Sequence, residues 1–179
     1  GSNVLQPSDD NDCDLGLSHR KFDDIYATNT SIIGTSDKNE KQEIASVTAK
    51  ELNVAKKLST LFKTFKWKDK VKEKGDKART HSGIIAQDIQ SAFSAEGLDA
   101  SKYGLFCSNT WWEKEIKVDA VKADEEKGIE AKDAYTYMDT KDEKTDGYTE
   151  RTRLGVRYAE LFSFIFSSIE ARLTALESK

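Results

Sequence analysis

The stretch Gly34-Thr35-Ser36-Asp37-Lys38-Asn39-Glu40-Lys41 sets a serine hydroxyl five residues ahead of a lysine amine. Serine becomes a nucleophile when a base takes its proton, and lysine can be that base once burial or a like charge disfavours its ammonium form. A five-residue offset is about 140° from alignment on an α-helix, so a Ser36–Lys41 pair requires Ser36 to lie on an entry turn outside any helix. The same residues also read as a helix start. Asp37 with Glu40 three positions on resembles a capping box, with Asp in the Ser or Thr place, ahead of an apolar-periodic run. On that reading Lys41 falls in the second turn, where backbone dipoles disfavour positive charge. The two readings are compatible, and spacing leaves both open.

Other reactive groups are sparse. His19 and His81 stand apart from Cys or carboxylates at ligand spacing, so no metal site is expected. No glycine-rich phosphate loop or GxSxG elbow is present, so neither a cofactor nor a small-molecule substrate is expected. Cys13 and Cys107 are too few for a secreted disulfide scaffold and read as free thiols. The basic run Lys63, Lys66, Lys68, Lys70, Lys72, Lys74, Lys77 and Arg79 is interleaved with Phe65 and Trp67, which would suit phosphates. Lysine outnumbers arginine there, and Asp69, Glu73 and Asp76 interrupt the run, which suits a solvated face or an acidic protein surface better than nucleic acid.

Across 179 residues the chain carries 28 Lys and Arg against 32 Asp and Glu, a net charge of −4, which argues against a basic nucleic-acid module. No window approaches the roughly 18 apolar residues of a membrane-spanning helix. Charged residues reach 34% and apolar ones only 37%, a lean core for one domain and easier to explain if several chains share it. Residues 1–35 are acidic, net −4, whereas 36–80 are basic, net +6.

The elements that must position these groups follow from periodicity. Phe22, Ile25, Tyr26, Thr28, Thr30, Ile32 and Ile33 favour short strands over 15–35. Apolar residues from Ile44 to Phe65 recur at three and four, which predicts one helix over Gln42–Phe65. Lys66–Thr80 reads as a loop or hairpin, Ile84–Phe93 as a helix stopped near Gly97, and Tyr103–Val121 as a strand. Lys122–Asp146 is a charged excursion or hairpin arm, and Tyr148–Arg153 a returning strand. The C-terminal helix presents Tyr158, Phe162, Ile165, Ile169, Leu173 and Leu176, partly at heptad spacing, either for intrachain packing or for self-association.

The order Leu15-Gly16, Arg20, Ile25-Tyr26, Thr35-Ser36-Asp37, Lys41, Trp67-Lys68, His81-Ser82-Gly83-Ile84-Ile85-Ala86-Gln87 and Gly155-Val156-Arg157-Tyr158 resembles the C-terminal intramolecular chaperones of bacteriophage tailspikes and tail fibres, the endosialidase-type, self-cleaving serine peptidases. The aromatic-rich stretch Tyr103–Trp112 is most similar to the branch found on L-shaped tail fibres.

The resemblance implies an α+β homotrimer. Its long C-terminal helix would form a central bundle or coiled coil, with short strands in a shaft remnant over 1–35. The chaperone domain would span 36–179, with a protruding arm at about 110–153. It further implies folding of an upstream triple β-helix, then self-release between Thr35 and Ser36 by a Ser36–Lys41 dyad supported by His81 and Gln87. The alternative is a non-cleaving trimerisation or receptor-binding tip. The family's usual Arg-Leu before the lysine is replaced by Asn39-Glu40, which offers Lys41 an ion-pair partner. By the same resemblance the domain acts in the host cytoplasm during virion assembly and leaves a mature fibre in the virion tail.

Overall fold

Thr48 starts the first long helix. Its Oγ1 accepts from the Glu51 N–H at 3.3 Å, while the Glu51 carboxylate takes both the Thr48 N–H and its hydroxyl proton at 2.7 Å. This Thr-x-x-Glu capping box closes the first turn of α1 (Ala49–Leu58). The computed structural model describes residues 5–10, 12–29, 32–123 and 130–178. The chain divides into two units, Gly1–Ala45 and Ser46–Lys179.

The helix anticipated over Gln42–Phe65 is therefore shorter at both ends. Glu43, at φ 56, lies in the left-handed region, through which a right-handed helix cannot run. At the other end the Ser59 and Thr60 hydroxyls bond to the carbonyls of Lys56 and Lys57, and the chain leaves the helix. Phe65 instead ends β1 (Lys63–Phe65), which pairs antiparallel with β2 (His81–Gly83) so that Phe65 faces His81. The segment between them is a hairpin connection, but a helical one, holding α2 (Lys68–Lys74) and a 3₁₀ turn at Gly75–Lys77. The four lysines and Glu73 of α2 are good helix formers, and Lys70 pairs with Glu73 one turn on at 3.2 Å.

Helix α3 (Ala86–Ala95) forms as the periodicity suggests. Gly97, at φ 70, reverses the chain, and the Leu98 N–H reaches back to the Phe93 carbonyl at 2.9 Å, returning Leu98 to the core. The core lies where α1, α3 and the C-terminal helix α4 (Tyr158–Glu177) meet, with Val54, Leu58, Ile89, Phe93 and Leu161 fully buried. Phe164 stacks on Phe93 with ring centroids 5.9 Å apart.

The three-stranded sheet has the order β4-β3-β5, from β3 (Phe106–Val118), β4 (Tyr135–Lys141) and β5 (Thr149–Val156). Both outer strands run antiparallel to β3. β4 faces Trp112–Val118 and β5 faces Phe106–Glu113, so only Trp112 and Glu113 have neighbours on both sides. The anticipated central strand and its return thus form, and the charged excursion supplies β4; residues 124–129 lie outside the described ones. The molecule is α+β. Among the described residues no helix is long and apolar enough to cross a membrane.

The Gly1–Ala45 unit departs from expectation. Among its described residues no strand forms; an isolated bridge joins Leu17 and Arg20, with reciprocal N–H···O bonds of 3.0 and 3.1 Å. Thr30 lies outside the described residues. Phe22, Ile25, Tyr26, Ile32 and Ile33 are exposed. Strand-forming side chains do not make strands when their backbone lacks a ladder partner.

The Glu51 carboxyl is held below its ordinary 4.5, first by the Thr48 hydroxyl, then by the Thr48 N–H, with a smaller share from Tyr103. Its contribution is complete above pH 4.5 and fades as pH falls through the depressed folded value. We expect Thr48→Ala to cost about 1 kcal/mol at neutral pH. The variant should also lose less stability than the wild type on acidification. Urea denaturation of both proteins across the acid range checks this.

Candidate functional site

Lys41 Nζ donates a hydrogen bond to Ser36 Oγ at 2.7 Å. A turn makes this possible where a helix would not. Asp37, with extended backbone, caps a 3₁₀ turn at Lys38–Glu40 by accepting the Asn39 N–H at 2.8 Å, and the Lys41 N–H closes on the Lys38 carbonyl at 3.2 Å. The anticipated cap is therefore present but not as a box, since Glu40 makes no return bond to Asp37 among the described residues. Lys41 follows this short turn and does not sit in the second turn of α1, which begins at Ala49. Thr35, Ser36 and Lys41 are all exposed, and Lys41 is turned towards Ser36 and not Glu40.

In the Ser46–Lys179 unit, His81 and Gln87 line one groove of about 950 Å³. Phe65 and Trp67 meet edge to face at 5.2 Å, His81 stacks over Phe65 at 5.9 Å, and Lys66, Lys68 and Arg153 add positive charge to the lining. Gln87 stands in the first turn of α3 with its side chain exposed. The groove also takes in Gly155, Val156 and Tyr158. Three short motifs far apart in sequence, at Trp67, at His81–Gln87 and at Gly155–Tyr158, thus converge on one surface.

Tyr158 has a task that its place on the apolar stripe did not reveal. Its hydroxyl accepts the Ile84 N–H at 3.3 Å, and a Cβ on Gly83 would collide with that same oxygen. The glycine of the His-Ser-Gly stretch therefore keeps room for a tyrosine 75 positions away. Along α4, Leu161 and Ile165 are buried, whereas Tyr158, Phe162, Ile169, Leu173 and Leu176 are 38% to 65% exposed. Ile165, anticipated as a contact between chains, belongs to the core of its own chain, because it lies one turn on from buried Leu161 and only about 40° around the helix from it. Phe166, 64% exposed, stands on the open face instead.

Residues 36–98 match the family model described as chaperone of endosialidase. These residues carry the endosialidase-chaperone signature. The likeness read from the sequence is thereby borne out, and the endosialidase-chaperone match starts at Ser36 itself. A probable tail spike protein of Klebsiella phage 0507-KN2-1 is 35% identical over 158 residues, covering 87% of this chain and 12% of that protein. Side tail fiber protein pb1 of Escherichia phage T5 is 28% identical over 183 residues, 98% of this chain and 12% of its own length. The structure of the carboxy-terminal domain of the bacteriophage T5 L-shaped tail fiber with its intra-molecular chaperone domain superposes with a TM-score of 0.74 at 26% identity, covering 98% of this chain and 38% of that one. The chain thus spans about an eighth of the length of these curated relatives.

We expect Gly83→Ala to destabilise the fold by about 1–3 kcal/mol through overpacking against Tyr158. Tyr158→Phe should cost about 1 kcal/mol by leaving the Ile84 N–H without its acceptor. Because phenylalanine also removes the clashing oxygen, the double variant should lose less than the sum of the two. Denaturant midpoints of the four proteins measure the coupling, and strictly additive losses would contradict the contact.

Proposed function

We propose that this chain is the intramolecular chaperone of a phage tail fibre or tailspike. It would assemble as a homotrimer, guide an upstream triple β-helix of the same fibre into register, and then cut itself free between Thr35 and Ser36. The observation that carries this reading is the 2.7 Å contact between Lys41 Nζ and Ser36 Oγ, at the residue where the family match begins. Its relatives are named as tail spike and tail fibre proteins, which supports a place in the virion tail; the reading sets the chaperone's own action in the host cytoplasm, during assembly.

The chemistry follows from connectivity. Ser36 Oγ attacks the carbonyl carbon of Thr35 through a five-membered ring while Lys41 takes the hydroxyl proton. The C–N bond between Thr35 and Ser36 breaks as a proton passes to the leaving amine, which gives an ester. Water then hydrolyses the ester, leaving a carboxylate on Thr35 and a free Ser36. Lys41 must be neutral to act, and desolvation is one route to that state. Both groups are exposed in the single chain, so the reading assigns their desolvation to assembly. His81 and Gln87 are carried as supporting residues. No cofactor, metal, nucleic acid, membrane or small-molecule substrate enters the scheme.

A removable chaperone has a kinetic rationale. A triple β-helix pairs its strands between chains, and non-local pairing is slow and open to misassembly. Chains already held together by α4 meet at high effective concentration. The excursion that carries β4 serves as the arm that contacts the shaft, with exposed Tyr135 and Tyr137 on one face. After release the shaft cannot refold by the same route and is held by its unfolding barrier.

Intact-mass measurement on a fibre fragment that includes the shaft tests the cut. Wild type should yield two pieces with a new terminus at Ser36, and Ser36→Ala one uncut chain. Two pieces from Ser36→Ala would overturn the assignment. An uncut wild type that is trimeric would favour a tip domain that stays attached, with Ser36 only part of a cap. Lys41→Met should slow cleavage at least a hundredfold if the amine is the base.

A further inference from the structure

Strand β5 ends its sheet, with β3 on one side and, among the described residues, no strand on the other. Hydrogen bonding alternates along an antiparallel pair, so every second residue bonds its opposite and those between turn their backbone groups away. The Arg157 N–H donates to the Leu105 carbonyl at 3.0 Å, one step beyond the facing pair Phe106 and Val156. Counting back from that bond, Gly155 and Arg153 turn towards β3, whereas Val156, Leu154 and Thr152 direct their N–H and C=O groups outward. Among the described residues no other element takes up those groups.

Open edges are ordinarily blunted by proline, lysine or a bulge. β5 has neither proline nor lysine, and its register against β3 runs unbroken from Thr149 to Val156. Its two arginines are drawn onto the sheet. Arg151 Nε donates to Glu113 Oε1 at 2.7 Å, and the Arg153 guanidinium lies 5.1 Å from the centre of the Trp111 ring.

The edge also has a groove beside it. Thr152–Val156 line the cavity that holds Phe65, Trp67 and His81, and these five residues offer about 13 Å of strand, room for an added segment of similar length. Trp67 is 53% exposed, a ring against which a passing chain can lie. The charged side chains of the lining are Lys66, Lys68 and Arg153 against Asp69, so the cavity is net positive.

We propose that this groove binds an acidic peptide of another protein in extended form, added as a strand to the open edge of β5. Ladder bonds to Thr152, Leu154 and Val156 supply affinity whatever the peptide sequence, and Lys66 and Lys68 select for negative charge. An edge with unspent backbone groups suits a strand better than a helix, whose own N–H and C=O groups are already paired. The proposal stands apart from the cut at Ser36 and does not depend on it.

Residue-level hydrogen exchange on the whole chain tests this, with a capped heptapeptide alternating glutamate and valine as the probe. In the free protein the Thr152, Leu154 and Val156 amides should exchange about tenfold faster than those of Arg153 and Gly155, and saturating peptide should slow the three about tenfold. The same peptide with lysine for glutamate should bind about tenfold more weakly at low salt. Lys68→Glu should weaken the glutamate peptide about fivefold. Thr152→Pro removes an outward N–H and spares the ladder to β3, so it should weaken binding with an unchanged circular-dichroism spectrum. Binding that leaves the three amides unprotected, or equal binding of both peptides, would overturn the proposal. So would protection already present without peptide, which would show the edge filled by the chain itself or by a second copy.

Discussion

The seat of Leu161 and Ile165 in the core decides which side of α4 is left over. Both are buried in the core cluster to which α1 and α3 contribute Val54, Leu58, Ile89 and Phe93, and once they are fixed the helix cannot rotate. The strip from Phe162 to Leu176 is then committed to the outside. Two phenylalanines, an isoleucine and two leucines, each 38% to 65% exposed, therefore share one side of the helix. The same anchoring aims Tyr158, at the head of the helix, at Ile84 and Gly83. Core packing, the wall of the groove and the unsatisfied face thus all follow from one helix and its rotation.

Much of this was legible in the sequence. The α+β class, α3 with its Gly97 stop, the long central strand and its return, and the terminal helix all follow from periodicity and punctuation, because each sits where local preference and burial agree. Ser36 and Lys41 were legible as a pair because a turn closed by Asp37 needs no distant partner. The start of α1 could have been placed from Thr48 and Glu51, whose spacing is a better capping box than that of Asp37 and Glu40.

The remainder was hidden for physical reasons. Apolar spacing of three and four continued from Ile44 to Phe65, but periodicity does not register a left-handed residue such as Glu43 or the hydroxyl bonds that unwind the chain after Leu58. Strand propensity over 15–35 described side chains, whereas strands need a partner for the backbone. The convergence of Trp67, His81, Gln87 and Tyr158 on one groove is a matter of tertiary structure, and only the order of the motifs hinted at it. Ile165 and Phe166 are adjacent and both apolar, so which one faces inwards could be read only from what packs against the helix.

The offset in the sheet has a mechanical corollary. Since β4 and β5 overlap along β3 only at Trp112 and Glu113, the sheet is two ribbons joined end to end and not a three-stranded slab. A two-stranded ribbon twists more and has less cohesion than a broad sheet. The half built on β5 lies against α3 and the core through Leu154 and Val156, while the half built on β4 relies on its own cross-strand pairs and on the Tyr148 hydroxyl held by Asp139 at 2.5 Å. Under load the β4 ribbon would bend or fray before the helices yield, so the molecule couples a stiff hub to a compliant extension.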